Sequence, residues 1–259
     1  MARKIVITSG KGGVGKTTVA ACLGMRLSLM GKRTAVIDVD FGLNNLDILL
    51  GAEDKTAFGV EDVITGKCRA KQALIEINRN LYIMPSSKKA STNLSAQNVK
   101  LLAEGLAKSF EFVFLDCPAG VSAGFERAVA SVEEAIVVVN PSLSSLRDAD
   151  KAISIMKSYG LEKIWVIVNR ARGDLMAQKL TLSPSEIIDI LRLPLLGVLP
   201  DDDYLLLGDA RRLPEYKISD KAYLFTAKKL LGTGSKIYDP TKPYKGLFGR
   251  MRLAFQRRG

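Results

Sequence analysis

"KIVITSGKGGVGKTTVAA", residues 4–21, runs from a short Val/Ile-rich segment through a glycine loop into a segment of helical period. Continuous apolar character suits a strand buried on both faces, so the stretch reads as strand, loop and helix of a βαβ unit. Gly10 to Thr17 match G-x-x-x-x-G-K-[ST] in the strand-to-helix context that this motif requires. Its glycines let consecutive backbone N–H groups converge on phosphate oxygens, and the following helix adds positive potential there. Gly10, Lys11, Gly12, Gly13, Val14, Gly15, Lys16, Thr17 and Thr18 are therefore the expected nucleotide-binding residues. Lys16 is expected to bridge the β- and γ-phosphates, and Thr17 to ligate Mg²⁺ through its hydroxyl.

Outward from that unit the pattern repeats. Apolar runs recur at 33–38, 81–86, 112–117, 135–140, 164–169 and 195–200, separated by helix-period segments at 16–30, 95–108, 144–159, 183–191 and 219–231. Serines at 95, 144, 183 and 219 stand where helix caps belong. Alternating strand and helix predicts an α/β fold of the P-loop NTPase type: an open, mostly parallel sheet with helices on both faces, and ligands beyond the C-terminal ends of the strands. A length of 259 residues, 47% hydrophobic and 25% charged, suits one large domain, placed at 1–231. Two glycines and two prolines mark 232–244 as a linker, leaving 245–259 as a tail.

The formal charge is +11, yet nine basic residues stand against one acid from Lys228 to Gly259, so the basic character belongs mainly to the C-terminal end. Such a tail points to phosphate, nucleic acid or anionic lipid. Three widely spaced cysteines provide neither a disulfide framework nor a C-x-x-C pair. With no signal-peptide pattern and no membrane-length apolar run, the expected location is the cytoplasm.

Carboxylates follow the strands where a phosphoryl-transfer site needs them. Asp38 and Asp40 follow the second strand, and Asp116 closes the hydrophobic run "VFLD". Asp38 and Asp116 are expected to hold magnesium-bound water, and Asp40 to orient the attacking water. "NRAR", residues 169–172, puts arginine where guanine-reading loops of the Asn-Lys-x-Asp type carry an acceptor, so Asn169 fits the edge of adenine and the cofactor reads as ATP with Mg²⁺.

"KGGVGKT" with Lys11 resembles the deviant Walker A ATPases. Together with "VIDVDFGLNNLDILLG", "DCPAG", "NPSLSSLRDADK" and the short basic tail, it is similar over essentially the whole chain to the septum site-determining branch of the ParA/MinD superfamily. The resemblance implies an ATP-dependent homodimer in which Lys11 reaches the partner's nucleotide and joins Lys16 and Asp40 in catalysis. Hydrolysis would be slow without an activating partner. It also implies a MinC-like division inhibitor and a MinE-like activator as partners, with contacts at Asn45 and Asp148. Asn44 stands where the family carries arginine. Iron–sulfur carriers of the superfamily need the missing C-x-x-C pair; DNA-binding partition ATPases remain the rival reading.

On a helix at 100° per residue, Leu247, Phe248, Met251, Ala254 and Phe255 share one arc, flanked by Arg250, Arg252 and Arg257. An apolar face bordered by arginine predicts an amphipathic helix lying on an anionic membrane surface, peripheral on the inner face of the plasma membrane. Phenylalanines have little use in a purely DNA-binding arm, so DNA is the lesser expectation.

Overall fold

Ile5, Val6 and Ile7 are all fully buried, yet Val6 belongs to one core and its two neighbours to another. Successive side chains of a strand leave the sheet on opposite faces, so a strand covered on both sides must be apolar throughout. The computed structural model, which describes residues 2–41, 45–86, 95–207, 209–246, 249, 251 and 253, shows this layering across the molecule. The strands are β1 (Arg3–Thr8), β2 (Thr34–Asp38), β3 (Ile75–Asn78), β4 (Leu81–Met84), β5 (Phe112–Asp116), β6 (Glu134–Val139), β7 (Lys163–Ala171) and β8 (Leu195–Pro200). They form one sheet in the order β3-β4-β2-β5-β1-β6-β7-β8. All neighbours are parallel except β3 and β4.

Helices Ala96–Ala107, Ala123–Val129, Leu143–Ser158 and Pro184–Leu191 cover the face that receives Val6, Ala35 and Val113. Helices Lys16–Leu29 and Lys217–Leu230 cover the face of Ile5, Val36 and Phe114. Each fully buried large apolar side chain contributes roughly 1.5–3 kcal/mol. Lys16–Leu29 is enclosed on most sides, with Cys22, Leu23, Gly24 and Met25 buried in succession, so its sequence carries only weak amphipathy.

Ser95 caps its helix by accepting from the Asn98 N–H, and Ser183 forms a capping box with Glu186. Two other serines fall elsewhere than expected. The Leu143–Ser158 helix is capped by Ser142, not Ser144, while the Ser145 hydroxyl accepts from the Asn140 N–H and ties down the preceding loop. Ser219 lies inside the Lys217–Leu230 helix, whose first residue follows Tyr216. The fold adds elements that the apolar and helical periods do not mark: the antiparallel edge strand β3 and the short helices Leu46–Leu49, Val60–Ile64 and Ala70–Ala73. The β3–β4 turn is built by Asn78, whose Oδ1 accepts from the N–H groups of both Asn80 and Leu81.

The stretch after the last long helix lies against the domain. Arg3, at the start of β1, donates to the Leu230 carbonyl, which places the end of that helix at the N-terminal edge of the sheet. Ile237 then packs on one core and Tyr238 on the other. Pro240 and Tyr244 line a cavity with Arg172 and Asp201, which follow β7 and β8. Residues 231–244 thus carry the chain back to the edge where the strands end. Asp239 accepts from the Lys245 ammonium at 2.7 Å and holds the root of the tail.

Candidate active site

Three loops meet at the C-terminal edge of β1. Gly15 precedes the first helix with φ 94°, in the left-handed region open to glycine. Gly10 has a different constraint: a Cβ there would collide with the Asp148 carbonyl and the Ala149 nitrogen, so its lack of a side chain lets the Leu143–Ser158 helix press on the loop. From the other side the Gly120 N–H, in the loop after β5, donates to the Ser9 carbonyl at 3.0 Å. Gly12 and Gly13 are exposed, Val14 is buried, and Thr17 and Thr18 are half-buried in the first turn of the helix.

Lys16 is only 8% exposed, inside this loop. Asp38 and Asp116 are register partners on the parallel neighbours β2 and β5, so both carboxyl groups arrive side by side at the same edge, and both are buried. Burial pushes Asp116 up to about 7, although the Thr17 hydroxyl and the Lys16 charge pull the other way. Asp38 is raised by burial and then by the nearby Asp116 charge. Half-buried Asp40 is raised by burial and drawn back by Lys16; its N–H donates to Asp38 Oδ1 at 2.9 Å.

Asp116 Oδ1 is buried without a hydrogen-bond partner. A lone, solvent-shielded oxygen beside a second carboxyl and the Thr17 hydroxyl is a hard donor set that fits Mg²⁺. Among the described residues no three acidic, cysteine or histidine side chains form a metal cage.

A pH dependence follows. In the folded protein Asp38 and Asp116 hold protons at a pH where unfolded aspartate, near 3.9, has lost them. The resulting stability is complete below the unfolded value and is lost as pH rises through the folded one, near 7 for Asp116. EDTA-treated, nucleotide-free protein is expected to melt at a lower temperature at pH 8 than at pH 5.5. Asp116→Asn should flatten that difference, as should Mg²⁺ with nucleotide; thermal denaturation at the two pH values checks it.

The remaining sequence candidates are placed as follows. Lys11 lies at the surface and donates to the Ser144 hydroxyl at 3.3 Å, on the Leu143–Ser158 helix. Asp148 is half-buried on the same helix, and Asn45 is exposed at the start of helix Leu46–Leu49. Asn169 is buried at the end of β7, where its side-chain amide donates to the Val14 carbonyl at 2.8 Å. That contact joins residues 155 positions apart and left no mark in the sequence. Of the tail candidates, Met251 is helical and about half exposed, at 51%. Leu247, Phe248, Arg250, Arg252, Phe255 and Arg257 lie outside the described residues, as do Asn44 and Ala254.

Residues 5–214 match the CobQ/CobB/MinD/ParA nucleotide binding domain. The septum site-determining protein MinD of Synechocystis is 39% identical over 260 residues, covering 97% of this chain and 98% of the relative. MinD in a MinC:MinD cell division complex from Aquifex aeolicus superposes with a TM-score of 0.84 at 34% identity, over 92% of this chain and 98% of that one. The Mg-ADP complex of the septum site-determining protein MinD from Pyrococcus horikoshii gives 0.79 at 31% identity, over 92% and 100%.

Proposed function

The chain belongs to the septum site-determining MinD group of the CobQ/CobB/MinD/ParA nucleotide-binding family, and from that premise we propose that it is an ATPase whose Mg·ATP-bound dimer binds anionic membrane reversibly. The observation that carries this reading is the buried Asp38–Asp116 pair beside Lys16 and Thr17, an arrangement that calls for a cation and polyphosphate together. Residues 10–18 wrap the phosphates, with the Lys16 ammonium on the β- and γ-groups. Thr17, Asp38 and Asp116 would hold the metal, the two carboxylates through water, and Mg²⁺ would supply positive charge to offset that of the phosphate oxygens. Asn169 meets the adenine edge. Lys11, at the surface, is free to leave Ser144 and reach the nucleotide of a second subunit, where it offsets charge on the leaving group.

The Aquifex relative was crystallised with MinC, and a MinC-like inhibitor is the partner this dimer recruits, through a surface that includes Asn45 and Asp148; a MinE-like activator accelerates hydrolysis. No helix among the described residues is long and apolar enough to cross a membrane; the attachment proposed is peripheral and falls to the tail, whose sequence puts an apolar arc between arginines. Residues 1–231 bind nucleotide and 245–259 bind lipid. Sedimentation of the purified protein with anionic liposomes, and its retardation of duplex DNA, each with ATP and with ADP, tests the whole. Liposome binding that needs ATP supports it; DNA retardation without liposome binding replaces it with a partition function.

Asp40→Ala is expected to keep ATP-driven dimerisation and lose about 10²-fold or more in turnover, the scale of a lost general base. Its carboxyl group is half-buried, close enough to Lys16 to be drawn down by its charge, and we assign it the orienting of the attacking water. Phosphate release alongside size-exclusion chromatography checks both halves, and normal turnover would move the role elsewhere.

A further inference from the structure

The loop around Val14 is held from a strand that plays no part in the phosphate motif. β7 breaks register with β8 between Val168 and Ala171, and Arg170 there takes φ 53°, a left-handed conformation that a non-glycine residue adopts only under constraint. The irregularity falls on the residue after Asn169, whose side chain meets the phosphate loop. There the Asn169 amide donates to the Val14 carbonyl at 2.8 Å. The fit leaves no slack, because a Cβ on Gly15 would stand 2.5 Å from the same Asn169 nitrogen.

In a planar trans peptide the C=O of one residue and the N–H of the next point in opposite directions. Holding the Val14 carbonyl toward Asn169 therefore turns the Gly15 N–H away from Asn169 and leaves it free to meet a ligand. A backbone N–H so directed is the donor that phosphate-binding loops use. An asparagine side chain has two N–H donors and one acceptor oxygen, so Oδ1 stays available on the base side while the amide grips the loop.

We propose that Asn169 is a positioning residue for the phosphate loop: by holding the Val14 carbonyl it aims the Gly15 N–H at the phosphates, so that it supports polyphosphate binding without touching phosphate. The inference rests on the ATP-binding reading and deepens it, since one side chain then links base recognition to phosphate grip. Arg170 acts through Asn169, its left-handed backbone presenting the amide to the loop.

Inorganic tripolyphosphate, which carries the phosphates and no base, separates this role from base reading. Binding of Mg·ATP and of Mg·tripolyphosphate would be measured by calorimetry for the parent, Asn169→Ala and Asn169→Asp, the last keeping size and acceptor while losing the donor. Both variants are expected to bind tripolyphosphate at least tenfold more weakly than the parent. In protein carrying ¹⁵N-glycine, the Gly15 amide resonance should shift in both. Variants that lose ATP but hold tripolyphosphate as the parent does would show Asn169 to be a base contact alone and overturn the proposal. A parent that binds ATP but no tripolyphosphate overturns it too, and a parent that binds neither overturns the ATPase reading instead. Urea denaturation of each variant identifies any that fails to fold; Asn169→Ser, which cannot span to Val14, then takes its place with the same expected loss.

Discussion

Lys16→Ala is expected to abolish ATP binding and, with it, ATP-dependent dimerisation. Lys16 is buried within the phosphate loop, and its charge is felt by both Asp40 and Asp116, whose carboxyl groups it draws down against burial. The ammonium offsets those acids, and in the proposed ATP complex it would meet the β- and γ-phosphates. Backbone N–H groups and the helix N-terminus offer only partial charges, equivalent to roughly half an elementary charge. A full charge at about 4 Å in surroundings of intermediate polarity is worth on the order of 4 kcal/mol, or about three orders of magnitude in affinity. Removing it also leaves Asp40 and Asp116 without the cation that draws them down, so these two carboxyl groups should retain protons to still higher pH. Calorimetry should find no ATP binding at micromolar protein, and light scattering with ATP should find monomers. Dimers that persist with ATP would show that the lysine is dispensable for closing the two subunits.

Features with a local cause are legible in the sequence alone. The phosphate loop is one: its glycines, lysine and threonine are consecutive, and the strand and helix on either side announce themselves by period. The seven longer apolar runs became strands because residues buried on both faces must be apolar without interruption. β3 escaped notice for the opposite reason: it is an antiparallel edge strand of four residues, with Glu76 exposed, and its definition comes from the Asn78 turn more than from its own sequence. The Asp38–Asp116 pairing could be guessed as two strand-end acids, but that they share a register position depends on β5 inserting between β2 and β1. Least legible was the Asn169 contact with Val14, since an asparagine after a strand predicts a polar loop end and says nothing of which distant carbonyl it meets.

Phe248→Glu is expected to separate the nucleotide switch from the membrane. The expectation rests on tail spacing, for Phe248 itself lies outside the described residues; at 100° per residue it stands at the border of the apolar arc whose centre is Met251, which is helical and half exposed. Pro240 and Tyr244 line a cavity with Arg172 and Asp201, which follow β7 and β8, and Asp239 holds Lys245, so the tail starts at the edge of the sheet where those two strands end. Losing a phenylalanine from a lipid interface forfeits roughly 1.5–3 kcal/mol of apolar burial, and a charge near an anionic leaflet shifts binding by about 1 kcal/mol more. A dimer carries two tails, so the combined loss reaches several kcal/mol, enough to cancel the avidity of about 10²-fold that pairing supplies. The residues proposed to grip nucleotide all precede residue 231, and ATP binding and dimerisation should survive unchanged. With ATP and anionic liposomes, the variant should stay in the supernatant while a sizing column still shows a dimer. A variant that sediments as the parent does would sink the interfacial-helix reading, because the apolar arc would then contribute nothing to attachment.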